Sequence, residues 1–215
     1  MQKSLSLILA NTRKSEAYFD DLKKNNLPIE KIIFYSKIKN SKFLKKLDIY
    51  PYKNSIKFVK TNLVNSKIVE KEILKIKSTY ILYSGYDAEI INNQNILKKN
   101  LIHCHPGLLP KYKGSTILYY SIIENNKIYV SVFKMSKIID QGKVLFTSKF
   151  NLPPKIIDLE KDFDNSIRAK ALILFLKSKK IQIKKQKSKY LNFYYIAHPI
   201  IRNIIRKPKS LLVSL

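Results

Sequence analysis

The sequence predicts an α/β fold in which helices cover both faces of a twisted, mostly parallel sheet. In the first half of the chain, short continuous apolar runs alternate with segments of helical periodicity, which is the pattern of repeated β-α units. The apolar runs lack polar alternation and therefore favour strands that are buried on both faces. Polar residues follow the carboxyl ends of these runs, where such sheets hold their sites. The 215 residues, 45% of them hydrophobic, suffice for one such core, and a single cysteine excludes a disulfide scaffold.

Each element is predicted from the spacing of its apolar residues. Strands are expected at residues 5–10, 32–35, 56–59, 80–83 and 101–104. Helices are expected between them at residues 15–26, 66–76 and 88–97. Beyond residue 115 we expect a helix at 116–123, two strands that pair with each other at 128–135 and 143–150, and a long helix at 158–176. We therefore predict a core at residues 1–155 and an extension at 156–215 that packs on the same domain.

The chain is strongly basic. Its 42 Lys and Arg residues against 15 Asp and Glu residues give a net charge of +27. One interpretation is a polyanionic partner, and the other is a genome composition that favours Lys, Asn, Ile and Tyr. The apolar run at residues 5–10 is too short for a secretory signal, and no later run is long enough to span a bilayer. We therefore expect a soluble, cytoplasmic protein.

Two histidines stand at the end of the last predicted parallel strand. Because side chains alternate along a strand, His103 and His105 point to the same side. Spacing alone leaves three interpretations open: a catalytic pair, a metal pair completed by Asp140 or Cys104, and a hydrogen-bonded structural pair.

A longer motif surrounds these histidines. Residues 103–114 read HCHPGLLPKYKG, and residues 139–142 read IDQG. Together they resemble the signature of the folate-dependent formyltransferases, Asn-x-His-Pro-Ser-Leu-Leu-Pro-x-Tyr/Phe-x-Gly followed by Asp-x-Gly. The resemblance covers most of residues 1–155, and it implies a Rossmann-like formyltransferase fold, formyltransferase activity and 10-formyltetrahydrofolate as the formyl donor. In architecture the chain is similar to short methionyl-tRNA-formyltransferase-like proteins and sugar N-formyltransferases.

The resemblance also implies catalytic roles. His105 matches the catalytic histidine and Asp140 the catalytic aspartate, whereas His103 stands where the family has an asparagine and Gly107 replaces a serine. A substrate amine attacks the formyl carbon, and a donor must stabilise the negative charge that develops on oxygen. We expect His105, kept protonated by Asp140, to supply that donor and to move protons. His103 is expected to act as a second donor, and no metal is expected.

The formyl donor is expected to lie against two loops. The segment of Ser84, Gly85 and Tyr86 matches the strand-end loop whose backbone holds the pterin ring in the family. Ile139 and Gly142 belong to the loop that wraps the other side of that ring. These five residues are therefore predicted to bind 10-formyltetrahydrofolate.

The acceptor is predicted to meet Asn11 and Arg13 after the first strand and Lys111 and Lys113 in the motif. The loop at residues 11–15 has no glycine, which disfavours a phosphate cradle built on close backbone approach. By elimination, we expect a small amine, a nucleotide-linked amino sugar of surface-polysaccharide biosynthesis. A tRNA-acting formyltransferase, a formyltetrahydrofolate hydrolase and a non-catalytic relative stay open as alternatives.

Residues 181–215 combine aromatic and basic side chains. Such a segment can stack on bases and meet phosphates, or it can lie on an anionic membrane through isoleucines at helical spacing. We favour the simpler interpretation that it packs as a last helix or hairpin. A nucleic-acid partner is therefore less favoured than a small-molecule acceptor, and peripheral membrane association stays open. The sequence does not specify an oligomeric state.

Overall fold

The structure is a computed structural model that describes residues 3–48, 55–153, 159–179, 186 and 193–206. The chain divides into two compact units. The first comprises Met1–His103 and Lys134–Lys137, and the second comprises Cys104–Phe133 and Ile138–Leu215. The boundary near residue 155 stays a prediction.

The first unit is built on parallel strands. Their bounds are Leu5–Ala10 for β1, Ile32–Tyr35 for β2, Ile56–Val59 for β3, Tyr80–Ser84 for β4 and Leu101–His105 for β5. They lie in the order β3-β2-β1-β4-β5, and each neighbouring pair is parallel. Every residue of β1 and β2 is buried, which explains why these strands are continuous apolar runs.

Helices cover both faces of these strands. Their bounds are Arg13–Lys24 for α1, Lys42–Leu47 for α2, Lys67–Leu74 for α3 and Gln94–Leu97 for α4. On one face, Ile33 of β2 belongs to the same buried cluster as Val69 of α3. On the other face, the ring of Phe34 lies 5.3 Å from that of Phe43 of α2, which also contacts Phe19 of α1. Adjacent residues of one strand thus anchor helices on opposite faces.

The second unit contains an antiparallel pair and a smaller parallel pair. The bounds of its elements are Lys113–Gly114 for β6, Ile117–Asn125 for α5, Ile128–Lys134 for β7, Val144–Phe150 for β8, Asp164–Lys177 for α6, Phe193–Tyr194 for β9 and Pro199–Arg206 for α7. β7 and β8 are antiparallel, with Ile128 opposite Phe150. β6 pairs in parallel with β9, so the end of the motif lies beside the C-terminal segment.

The predicted α/β class with a mostly parallel sheet is confirmed. The strands predicted at 5–10, 32–35 and 56–59 have the observed bounds, and the predicted pairing of the last two strands is confirmed. The predicted helix at 88–97 is wrong over its first six residues. Asn93 instead caps the short α4 by accepting the backbone N–H groups of Asn95 and Ile96. The short helix α2 was not predicted.

The long helix predicted at 158–176 differs at its start. Leu159–Phe163 form a π-helical turn, and α6 follows from Asp164. Asp158 lies outside the described residues. Among the described residues, no helix combines the length and apolar character that a membrane span needs.

Candidate active site

His105 is the last residue of β5 and is 3% exposed. Its Nε2 atom lies 2.7 Å from the backbone oxygen of Tyr112. Because a carbonyl oxygen only accepts hydrogen bonds, Nε2 carries the hydrogen and donates it. The motif thus folds back within seven residues and fixes the tautomer of its own histidine.

Asp140 faces the other ring nitrogen. Its Oδ1 atom lies 3.4 Å from His105 Nδ1, and its Oδ2 atom accepts the backbone N–H of Gly114 at 3.0 Å. The backbone φ of Asp140 is 55°, a left-handed conformation that aspartate tolerates better than most residues. The side chains predicted as the catalytic pair are therefore brought together, and Gly114 N–H orients the carboxylate.

Two opposing effects act on the proton affinity of His105. Burial lowers the pKa of His105, and the opposite effect of the Asp140 charge does not outweigh it. That Asp140 keeps His105 protonated stays a prediction: burial opposes the charged ring, whereas the two acceptors that face its nitrogens favour it. The neutral ring carries its hydrogen on Nε2, so Nδ1 is its basic atom. If Nδ1 gains a proton, two acceptors stabilise the resulting imidazolium.

A buried serine of β7 fastens the middle of the motif. Ser131 Oγ donates to the Gly107 carbonyl at 2.7 Å and accepts the Leu109 N–H at 3.1 Å. A Cβ atom at position 107 would lie 2.7 Å from a methyl group of Ile117 and 3.0 Å from His105 Nε2. Close packing against the histidine thus explains why glycine stands where the signature has serine.

The motif lysines have partners within the protein. Lys111 Nζ lies 2.8 Å from Glu124, and this carboxylate raises the pKa of Lys111. Glu124 also accepts the hydroxyl groups of Tyr112 and Tyr194. Lys113 is 2% exposed. A role of either lysine in acceptor binding stays a prediction.

Two predicted residues of the donor loop lie on either side of Asp140. Ile139 is 49% exposed, and the Gly142 carbonyl accepts Gln186 Nε2 at 2.7 Å. Their predicted contact with the formyl donor stays a prediction.

His103 belongs to the first unit. Its Nδ1 atom lies 3.1 Å from the Tyr83 carbonyl oxygen and therefore donates to it. A neutral ring has only one N–H, so a second hydrogen bond donated by His103 requires the imidazolium. The role of His103 as a second donor stays a prediction with this condition attached.

The strand-end loop after β4 is held by hydroxyl and carboxylate groups. Ser84 is fully buried and receives the Ser15 hydroxyl at 2.9 Å on its own Oγ. Tyr86 N–H donates to Glu89 at 3.2 Å. A Cβ atom at Gly85 would collide with the Tyr83 hydroxyl and the Glu89 carboxylate. Glycine is therefore required in this loop for close packing.

Sequence reasoning missed Glu89. Its carboxylate accepts the hydroxyls of Tyr35 at 2.5 Å and Tyr83 at 2.9 Å, together with the N–H groups of Val64 and Tyr86. Burial and this carboxylate raise the pKa of both tyrosines, so they stay protonated as donors. The scarcity of acidic residues in this chain is the sequence feature that could have drawn attention to Glu89.

The remaining acceptor residues lie at the start of α1. Asn11 follows β1 and is half-buried, whereas Arg13 is exposed as the first helical residue. Thr12 caps the helix by accepting the Ser15 N–H. Acceptor binding by Asn11 and Arg13 stays a prediction. Among the residues that the structure describes, no group of three or more His, Cys, Asp or Glu side chains could hold a metal ion.

The C-terminal segment is described in part. The lysines at 184, 185, 187 and 189 and Tyr190, which we considered for nucleic-acid binding, lie outside the described residues. The predicted apolar stripe falls on α7, where Ile205 is 5% exposed but Ile200 is 61% exposed. Ile205 packs with Tyr119 and Ala197, so one face of this helix does pack on its own unit.

Comparison with known proteins gives distant sequence relatives. No family model matches the chain. Methionyl-tRNA formyltransferase from Helicobacter pylori is 32% identical over 93 residues, which cover 42% of this chain and 30% of the relative. The same enzyme from Buchnera aphidicola is 23% identical over 160 residues, covering 71% of this chain and 51% of the relative. The matched segments thus span about half or less of these relatives.

Solved structures share the fold. Methionyl-tRNA formyltransferase from Clostridium thermocellum matches with a TM-score of 0.58 at 16% identity, covering 92% of this chain and 74% of that one. The sugar 3N-formyltransferase WlaRD, solved with dTDP and 5-N-formyl-THF, matches with a TM-score of 0.54 at 20% identity, covering 91% and 70%. Glycinamide ribonucleotide transformylase 1 from Symbiobacterium toebii gives 0.57 at 13% identity, covering 85% and 94%.

Proposed function

The chain belongs to the formyltransferase family, and we propose that it moves a formyl group from 10-formyltetrahydrofolate to the amine of a small molecule. The observation that carries this proposal is the buried pair of His105 and Asp140 at the end of β5, within a motif that resembles the family signature. A buried imidazole aligned by a carboxylate is suited to proton transfer near neutral pH.

The proposed step conserves atoms and protons. The acceptor nitrogen forms a bond to the formyl carbon, the bond from that carbon to N10 of the folate breaks, and N10 receives a proton. The acceptor nitrogen loses a proton, which the pair of His105 and Asp140 takes up and returns toward N10. The imidazolium that exists between these transfers is stabilised by Asp140 and by the Tyr112 carbonyl. Asp140 in turn keeps its orientation through Gly114 N–H.

The proposed acceptor is a nucleotide-linked amino sugar, as in surface-polysaccharide biosynthesis. Two observations support it: the loop after β1 has no glycine for a backbone phosphate cradle, and the sugar enzyme WlaRD shares the fold. The sequence relatives are methionyl-tRNA formyltransferases, which makes initiator methionyl-tRNA the second candidate. The chain's charge of +27 suits either a nucleotide or tRNA.

The test is consumption of 10-formyltetrahydrofolate in the presence of each acceptor class. The panel contains nucleotide-linked amino sugars, methionyl-tRNA, glycinamide ribonucleotide and a sample without acceptor. We expect turnover with an amino sugar that disappears in His105→Ala and persists in His198→Ala, a change at an exposed histidine. Turnover with tRNA alone would replace the sugar proposal, and turnover without acceptor would indicate a hydrolase. Absence of any turnover by a folded protein that binds 5-formyltetrahydrofolate would contradict the transferase proposal.

A further inference from the structure

Helix α6 carries an ion pair whose arginine contacts the end of β5, next to His105. Arg168 Nε is 2.8 Å and 2.9 Å from the two carboxylate oxygens of Asp164, one helical turn earlier. Both side chains are largely buried, with exposed fractions of 14% for Arg168 and 13% for Asp164. A pair this buried holds a fixed geometry, unlike the exposed pairs on the rest of the basic surface.

The same arginine reaches β5. Its Nη1 atom donates to the backbone carbonyl of Cys104 at 2.9 Å. Cys104 immediately precedes His105 in β5 and is fully buried. One guanidinium therefore ties α6 to the peptide that precedes His105, while its Nε atom donates to Asp164.

We propose that Arg168 is a positioning residue for His105: it fixes the backbone at the end of β5 and, together with Asp164, sets the charge around the imidazole. This proposal rests on the proposed function of His105. The contacts of Arg168 that support this role are with the Cys104 carbonyl and the Asp164 carboxylate. Its effect on the reaction passes through the place and the proton affinity of the histidine.

Among the described residues, charges on two segments of the chain act on His105. Asp140, in the loop before β8, favours the imidazolium, and so does Asp164 of α6. Arg168 of α6 opposes it and lowers the pKa of His105. Arg168 and Asp164 therefore shift the pKa of His105 in opposite directions, and neutralising either one should leave the shift caused by the other.

The charge effect is tested by titrating histidines labelled with ¹³C, observed by NMR in the full chain. His105 is assigned by loss of its signal in His105→Gln. We expect its titration midpoint to move to higher pH in Arg168→Gln and to lower pH in Asp164→Asn. Folded variants in which the two midpoints move in the same direction, or in which neither moves, would overturn the proposal. Because no turnover is needed, this readout stands even if formyl transfer is not found.

The positional effect is tested with Arg168→Lys, which keeps the charge but loses the fork that binds Asp164 and Cys104 together. We expect its His105 midpoint to stay near that of the wild type, while kcat falls by about tenfold to a hundredfold with KM for the folate nearly unchanged. The matched control is Arg202→Lys, since Arg202 also combines an acidic partner, Glu160, with a carbonyl acceptor. Equal kcat values in the two lysine variants would contradict a positioning role.

Discussion

Ser131 allows the strongest quantitative prediction. Its hydroxyl bridges the Gly107 carbonyl and the Leu109 N–H, and the serine is fully buried. Ser131→Ala leaves both backbone groups buried without their partner. At about 1–3 kcal/mol for each of the two unsatisfied groups, we expect the free energy of unfolding to fall by roughly 2–6 kcal/mol. A loss of 2 kcal/mol already increases the unfolded fraction roughly 30-fold.

The neighbouring strand offers a matched control. Ser148 of β8 is also buried, but its hydroxyl has no hydrogen-bond partner among the described residues. Ser148→Ala therefore removes an unsatisfied polar group, and we expect it to be neutral or stabilising. Both variants delete the same atom from buried positions on paired strands.

The assay is equilibrium urea unfolding followed by far-UV circular dichroism or by tyrosine fluorescence, since the chain has 14 tyrosines and no tryptophan. The expected result is a midpoint well below the wild type for Ser131→Ala and one at or above it for Ser148→Ala. Equal midpoints for the two variants would refute the claim that the hydrogen bonds of the Ser131 hydroxyl stabilise the motif.

Three further predictions concern single positions. Gly114→Ala should lower Tm and kcat, because Gly114 has φ 103° and the Tyr194 carbonyl occupies the space of a Cβ atom; an unchanged Tm would contradict the β6–β9 pairing. Glu89→Gln should raise KM for the folate by about tenfold with little change in kcat, because one amide oxygen cannot replace a carboxylate that accepts hydrogen bonds from four donors. The control is Asp87→Asn, a change at an exposed carboxylate. Equal KM values for the two variants would argue against a role for Glu89. Because its pKa is lowered on folding, His105 contributes stability that is fully present above its ordinary pKa of 6.5 and is lost as pH falls through the folded-state pKa. Between pH 7 and pH 5 the urea midpoint should therefore fall less in His105→Gln than in the wild type. An identical decline in the two proteins would contradict a buried neutral imidazole.

The sequence predicted that His105 and Asp140 meet, but it did not predict the proton affinity of the His105 ring. His105 and Asp140 belong to segments that resemble the formyltransferase signature, and it was this resemblance that predicted their meeting; the spacing of the histidines alone left three interpretations open. The proton affinity of His105 depends on burial, on the Tyr112 carbonyl and on Arg168, and these contacts are made by backbone atoms and by a distant helix. The amino-acid sequence does not indicate which backbone carbonyl faces the His105 ring.

Glu89 and α4 show a second kind of limit. The apolar residues between 88 and 97 have near-helical spacing, and that pattern favoured one helix. The structure instead uses Glu89 to collect donors from three different segments, and Asn93 starts a helix of four residues. Here tertiary hydrogen bonds override a short periodic pattern, because a half-buried carboxylate with four donors contributes more than the weak helical preference of a few residues.

The most direct test of the central claim is a double-mutant cycle on the proposed catalytic pair of His105 and Asp140. Formyl transfer is measured with the acceptor identified by the panel for His105→Ala, Asp140→Asn and the double variant, with the exposed Asp162→Asn as control. If the pair acts as a unit, each single change costs about a hundredfold to ten-thousandfold in kcat and the double variant is hardly slower than the slower single variant. Losses that multiply would contradict a coupled pair, and wild-type turnover in His105→Ala would contradict the account as a whole.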